Sequence, residues 1–143
     1  MKIIDFIETG SIAGIKCGMN FDETKNAIGH PIAVSTGKKP PKIYTYGNLQ
    51  LHAYKNIIFG ISIIINEFRK EESVLDIEDY SNFSKLSSEG FIKIIKRLPM
   101  KFKIENKYNQ ILILLNNNVT GSFEDDILIG LSLLDWSVLP ASV

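Results

Sequence analysis

Two stretches of this chain read almost alike. "IIFGISII" occupies 57–64 and "ILIGLSLL" occupies 127–134, each an apolar triplet followed by glycine, an apolar residue, serine and an apolar pair. Gly60 and Gly130 are 70 positions apart. Each stretch also follows a helical pattern closed by proline: Pro31 stands 29 residues before Gly60, and Pro99 stands 31 before Gly130. A period shared by several features predicts a tandem duplication of a helix–meander unit rather than a long array. The alternative is a chance similarity of two apolar strands. The pseudo-repeats run over about 1–65 and 81–136, joined by an acidic segment at 66–80, and at 143 residues they fit one domain, 1–143. Gly60 and Gly130 are expected to mark a bend, or the close approach of a helix to a sheet.

The helices have local signals. Ile3, Ile4, Phe6 and Ile7 are helically spaced, which predicts a short amphipathic helix over 2–9 ending near Gly10. In "GMNFDETKNAIGHP" (18–31), Asn20 is a good N-cap, with Glu23 three residues on and Asp22 beside it at the positive end of the helix dipole. Gly29 suits a left-handed C-cap and Pro31 blocks continuation, so start and stop lie close together. Phe91, Ile94, Ile95 and Leu98 form an i, i+3, i+4, i+7 stripe over 88–98, stopped by Pro99.

Between and after these, the period changes to two. Alternation at 43–46, a turn at Gly47-Asn48, a strand at 49–53, a turn at Lys55-Asn56 and the apolar run at 57–65 imply an antiparallel meander. "KFKIE", "NQILILL", 119–123 and the final apolar run supply further strands. The expected class is α+β: an antiparallel sheet of six or seven strands with short helices packed on one face, because an amphipathic helix must bury its stripe. The other face is expected to carry part of Tyr44, Tyr46, Gln50, His52, Ser62 and Ser132.

Composition narrows the function classes. Sixteen basic residues balance sixteen acidic ones, which argues against a dedicated nucleic-acid or anionic-membrane binder. Asp5 and Glu8 interrupt any signal-peptide core, and the apolar run at 57–65 is too short to span a bilayer as a helix, so a cytoplasmic protein is the default expectation. The one cysteine, Cys17, is a core filler or a reactive thiol. The two histidines, His30 and His52, have no partner at zinc-ligand spacing, and no phosphate loop, dinucleotide fingerprint or nucleophile elbow occurs. No cofactor, metal or catalytic set is therefore expected.

Charge is unevenly placed. Glu67, Glu71, Glu72, Asp76, Glu78 and Asp79 oppose only Arg69 and Lys70, and are interleaved with Val74, Leu75, Ile77 and Tyr80. Such a segment is either a solvated loop or an acidic contact surface for a basic partner, with Tyr80 and Phe83 as anchors. Glu124-Asp125-Asp126 reads as a turn. Lys93, Lys96, Arg97, Lys101, Lys103 and Lys107 collect elsewhere, opposed by Glu105.

The run Gly18, Met19, Asp22 or Glu23, Ile28, Gly29, Pro31, Tyr46, Gly47, Leu49, Leu51 and the strand at 57–65 resembles small bacterial immunity proteins encoded beside toxins. It covers about the first half of the chain. The helix-Gly-x-Pro part is also similar to the β-lactamase inhibitory protein and to small outer-membrane assembly lipoproteins, the former built of two helix–meander units. This chain lacks the inhibitor's disulfide cysteines. The resemblance implies a non-catalytic antitoxin of polymorphic-toxin or contact-dependent growth inhibition systems. Such a protein neutralises a cognate toxin domain, such as a nuclease, by occlusion in the cytoplasm. The motif residues then specify scaffold, and the partner-binding residues are expected to be Glu67, Glu71, Glu72, Asp76, Glu78, Asp79 and Tyr80. The chain itself would be a monomer or a homodimer touching neither nucleic acid nor membrane. The rival expectation is a small ligand-binding module or enzyme using a cleft near Tyr44, Tyr46 and His52. A homodimer pairing its "QILILL" edge is a third.

Overall fold

The computed structural model of the chain describes residues 1–35, 41–65 and 76–140. Helices α1 (Ile3–Thr9) and α2 (Phe21–Ile28) precede strands β1 (Ala33–Val34), β2 (Lys42–Tyr46), β3 (Leu49–Tyr54) and β4 (Ile57–Ile64). Helices α3 (Tyr80–Phe83) and α4 (Ser88–Arg97) precede β5 (Phe102–Lys107), β6 (Gln110–Leu115), β7 (Thr120–Glu124) and β8 (Ile127–Leu134). The order helix, helix and four strands thus occurs twice. All strands join one antiparallel sheet in the order β1-β2-β3-β4-β8-β7-β6-β5. The class is α+β, with eight strands where the sequence suggests six or seven. The additional one is β1, whose two residues are too few to display a period.

The repeat extends to register. His52 pairs with Gly60 and Ala53 with Ile58, skipping Phe59; Ser122 pairs with Gly130 and Phe123 with Leu128, skipping Ile129. Both bulges therefore sit at the same place in their units, 70 positions apart. The turns before these strands match as well, with positive φ at Lys55-Asn56 (49° and 68°) and Asp125-Asp126 (50° and 60°), the geometry of a two-residue hairpin. The halves meet where β4 pairs with β8, with Ser62 opposite Ser132, Gly60 opposite Leu134 and Ile64 opposite Gly130. Because Ser62 and Ser132 are themselves equivalent, an approximate two-fold axis passes between them. Asp135 N–H donates to Phe59 O at 2.7 Å and Ile65 N–H to Ile129 O at 3.0 Å, a matched pair of bonds across it.

One face of the sheet holds the core. Tyr44, Tyr46, Leu49, Leu51, Ile61 and Ile63 from the first half join Ile113, Leu115, Phe123, Leu131 and Leu133 from the second, under Ile3, Phe6, Ile7, Phe21, Phe91 and Ile95 of the helices. The helix bounds read from sequence hold to within a residue or so, although Gly29 ends α2 at φ 87° and ψ −166° rather than as a left-handed cap. Asn20 Oδ1 accepts from Asp22 N–H at 2.8 Å; α4 has a cap that the sequence reading did not single out, Ser87 Oγ accepting from Gly90 N–H at 3.1 Å. Gly10 (φ 75°) and Gly29 (φ 87°) terminate α1 and α2 in conformations that favour glycine. α1 is also clasped from afar: Asp79 accepts from Ile3 N–H (2.7 Å) and Ile4 N–H (3.0 Å), and Asn117 Nδ2 donates to Ile7 O (2.9 Å).

Two expectations are corrected, and of the two roles expected for Gly60 one is selected. Tyr44 and Tyr46 do not share a face with His52: Tyr44 pairs with Leu51 and His52 with Ile43, and alternation sends the tyrosines to the helix side. "QILILL" is β6, flanked by β5 and β7, so the long edge strand is β5. Gly60 faces no helix. A Cβ there would stand 2.7 Å from Leu134 Cδ2 and 3.1 Å from His52 Cβ, so it marks a bulge crowded by neighbouring strands. The glycine that a helix approaches is Gly121, 3.1 Å (as a built Cβ) from Phe91 Cζ.

Candidate functional site

Among the described residues, no α-helix covers the second face of the sheet, the helix-free face. Its central row crosses all eight strands through successive pairings: Ala33, Thr45, Gln50, Ser62, Ser132, Thr120, Leu114 and Lys103. The parallel row on one side runs Ile43, His52, Gly60 and Leu134; the row on the other runs Ile64, Gly130, Ser122, Leu112 and Glu105. Charge enters these rows only at β5. Everything between lacks carboxylate, lysine and arginine side chains: small hydroxyls, one amide, the His52 imidazole, two glycines and aliphatic groups.

An aromatic cluster stands beside this row. Phe59 is 2% exposed yet lies outside the main core, because the bulge in β4 turns it to the helix-free side. Its ring meets Trp136 at 4.7 Å and the edge of His52 at 6.2 Å. Trp136 opens a short 3-10 turn, Trp136–Val138, capped by Asp135 Oδ1 accepting from Ser137 N–H at 3.0 Å. It remains 62% exposed, and neighbouring Leu134 is 49% exposed. Burial lowers the His52 pKa below the ordinary histidine value, which favours the neutral ring and keeps the patch uncharged.

The acidic segment is more divided than its sequence suggests. Glu67, Glu71 and Glu72 lie outside the described residues. Asp76 and Glu78 are exposed; Glu78 lies 3.9 Å from Lys2 Nζ and equally far from the N-terminal ammonium. Asp79 is half-buried with both carboxylate oxygens engaged at the start of α1, and Tyr80 is half-buried against the core. Two of the seven residues thus belong to the scaffold. Removing the Asp79 cap in Asp79→Ala is expected to cost about 1–2 kcal/mol, and Asp79→Asn less, read as a shift in the urea midpoint.

The remaining sequence candidates resolve into structure. Cys17 is half-buried, and burial, followed by the charge of Asp135, pushes its thiol up to about 11, so it stays protonated. Tyr46 OH, pushed up to about 12 by burial and then by Tyr44, donates to Gly29 O at 2.8 Å and fixes the end of α2. Phe21 stacks on Tyr44 at 3.6 Å, seating the start of the same helix. Asp126 turns the β7–β8 hairpin and accepts from the Ser88 hydroxyl (2.5 Å) and N–H (3.2 Å), bonds that hold its carboxyl below the usual range.

Grooves occur away from His52. One of about 520 Å³ lies among Lys2, Ile4, Asp79, Asn82, Phe83, Ile94, Arg97 and Leu98; another of about 380 Å³ lies among Lys101, Phe102, Lys103, Leu114, Leu115, Asn116, Asn118 and Thr120. Among the described residues, no three His, Cys, Asp or Glu side chains gather as metal ligands, and no helix is long and apolar enough to cross a membrane. The signal that sequence reading missed was Trp136: an aromatic just past a strand gives no periodicity, and only the Phe59 bulge reveals which face it shares. Comparison of the chain with protein-family models, curated proteins and solved structures finds no match.

Proposed function

We propose that this chain is an immunity-type protein that binds a cognate protein toxin, such as a nuclease, and blocks it by occlusion in the cytoplasm. The observation that carries this reading is the helix-free sheet face, whose central rows carry no carboxylate, lysine or arginine side chain from β1 to β6, with Trp136 and Leu134 exposed beside it. Interfaces concentrate their binding energy in aromatic anchors surrounded by neutral contacts, and deplete charge at the centre. Ser62 and Ser132 occupy that centre, while the anchors flank it. A standard interface of roughly 1,600 Å² fits a face of eight strands. Asp76 and Glu78, exposed on the acidic segment, act as rim charges that speed encounter with a basic toxin.

Co-expression with the product of a neighbouring toxin gene tests the reading. Cells are expected to survive only when this chain is present, and the two proteins to co-purify. Survival without it, or killing despite it, would refute the proposal.

A further inference from the structure

We propose that the chain self-associates through β5, continuing its sheet into that of a second copy by antiparallel pairing centred on Ile104. β5 is the long edge of the sheet, six residues without a bulge in its pairing to β6, whereas the opposite edge, β1, has two residues. A bare edge is a template for another strand, and proteins commonly blunt it with proline, bulges, brevity or charged side chains, lysine above all. β5 has no proline and no bulge, and its Ile104 is 51% exposed; it does carry Lys103, Glu105 and Lys107, so the register must be one in which these charges complement each other.

The backbone fixes which residues face outward. β5 and β6 are joined by the two-residue turn Tyr108-Asn109, with φ 54° and 59°, so Lys107 and Gln110 form the first hydrogen-bonded pair. Odd-numbered residues of β5 therefore bond inward; Lys101 O, accepting from Asn116 N–H at 3.0 Å, follows the same parity. The amides and carbonyls of Phe102, Ile104 and Asn106 point away from the sheet. A second antiparallel copy can bond only to these, which restricts the register to pairings that match even residues with even residues.

Two such registers overlap five residues of each strand. Centred on Glu105, pairing would set Glu105 against its own equivalent and Lys103 against Lys107, all like charges. Centred on Ile104, it sets Lys103 against Glu105 twice, Ile104 against Ile104 and Phe102 against Asn106 twice. Lys103 and Glu105 already approach to 3.6 Å within one chain, which places both heads on the same face and within reach of a neighbour. Charge therefore selects the Ile104 register, and the resulting contact is self-complementary, as a two-fold interface must be. Lys101 opposite Lys107 at the outer ends is the one pairing that opposes it. This surface is separate from the Trp136 patch, so the inference stands whether or not a toxin binds there.

Sedimentation equilibrium of the full chain, with circular dichroism on every variant, tests the register. The wild type is expected to dimerise with rising concentration. Lys103→Glu alone and Glu105→Lys alone each create like-charge pairs and are expected to weaken the dimer about tenfold or more. The exchanged double variant, Lys103→Glu with Glu105→Lys, is expected to restore it. Ile104→Pro removes an outward N–H without disturbing the β6 ladder and is expected to give a folded monomer. A wild type that stays monomeric up to high micromolar concentration overturns the proposal. So does a dimer that the exchange fails to restore, or that Ile104→Pro leaves intact.

Discussion

Phe91→Ala is expected to destabilise the fold by about 3–5 kcal/mol, lowering the thermal midpoint by roughly 10–17 °C for a chain of this length. Phe91 is fully buried in α4, edge-on to Phe123 at 5.5 Å and 70°, and its ring lies over Gly121. The absence of a side chain at 121 is what lets the helix sit so close to β7. Truncating the ring removes its apolar burial and its contact with Phe123, and leaves a hole that glycine cannot fill. Gly121→Ala in the native background crowds Phe91 and is expected to destabilise; in the Phe91→Ala background it fills part of the hole and is expected to be neutral or stabilising. A double-mutant cycle by urea denaturation reads that reversal of sign. Additive losses would show that the two positions do not share one packing site.

Trp136→Ala is expected to weaken binding of the cognate toxin by about 30–1,000-fold, the range of an aromatic anchor worth 2–4 kcal/mol. Its exposure of 62% means that the free protein is expected to lose little stability, so the effect is separable from unfolding. Leu134→Asp, which places a charge at the edge of the neutral rows, is expected to weaken the complex comparably. Reversing Asp76 and Glu78 instead is expected to slow association and alter its salt dependence, with a modest change in affinity. Calorimetry and stopped-flow association on the same variants distinguish the surfaces. Full affinity in Trp136→Ala would move the interface off the sheet face.

Local chemistry made much of this fold readable. Asn20, Gly29 and Pro31 bracket α2 within a few residues, and Phe91, Ile94, Ile95 and Leu98 mark the buried stripe of α4, because caps and stripes act over one or two turns. The Gly-x-Ser echo announced the repeated unit, although it could not say that the two copies would pair with each other through β4 and β8. Facing was harder to read. Tyr44 and Tyr46 flank Thr45 while His52 stands between Leu51 and Ala53, and it is the register of β2 on β3 that shows the tyrosines and the histidine on opposite sides. Asp79 looked like one acid among many because its partners, the amides of Ile3 and Ile4, are 76 and 75 positions away. The candidate surface was least legible, since it depends on a bulge that turns Phe59 outward.

The long-distance clasps on α1 bear on how the chain is made. Asp79 and Asn117 leave the ribosome well after the helix they hold, and Leu133, whose Cδ2 would stand 3.1 Å from a Cβ at Gly10, leaves later still. The first repeat is expected to close its hairpins early, but it lacks the Asp79 and Asn117 bonds that fasten its leading helix. Repetition of sequence here does not confer independence of folding. A fragment ending at β4 is therefore expected to hold its apolar leading helix less firmly than the full chain does, leaving surface for chaperones to shield.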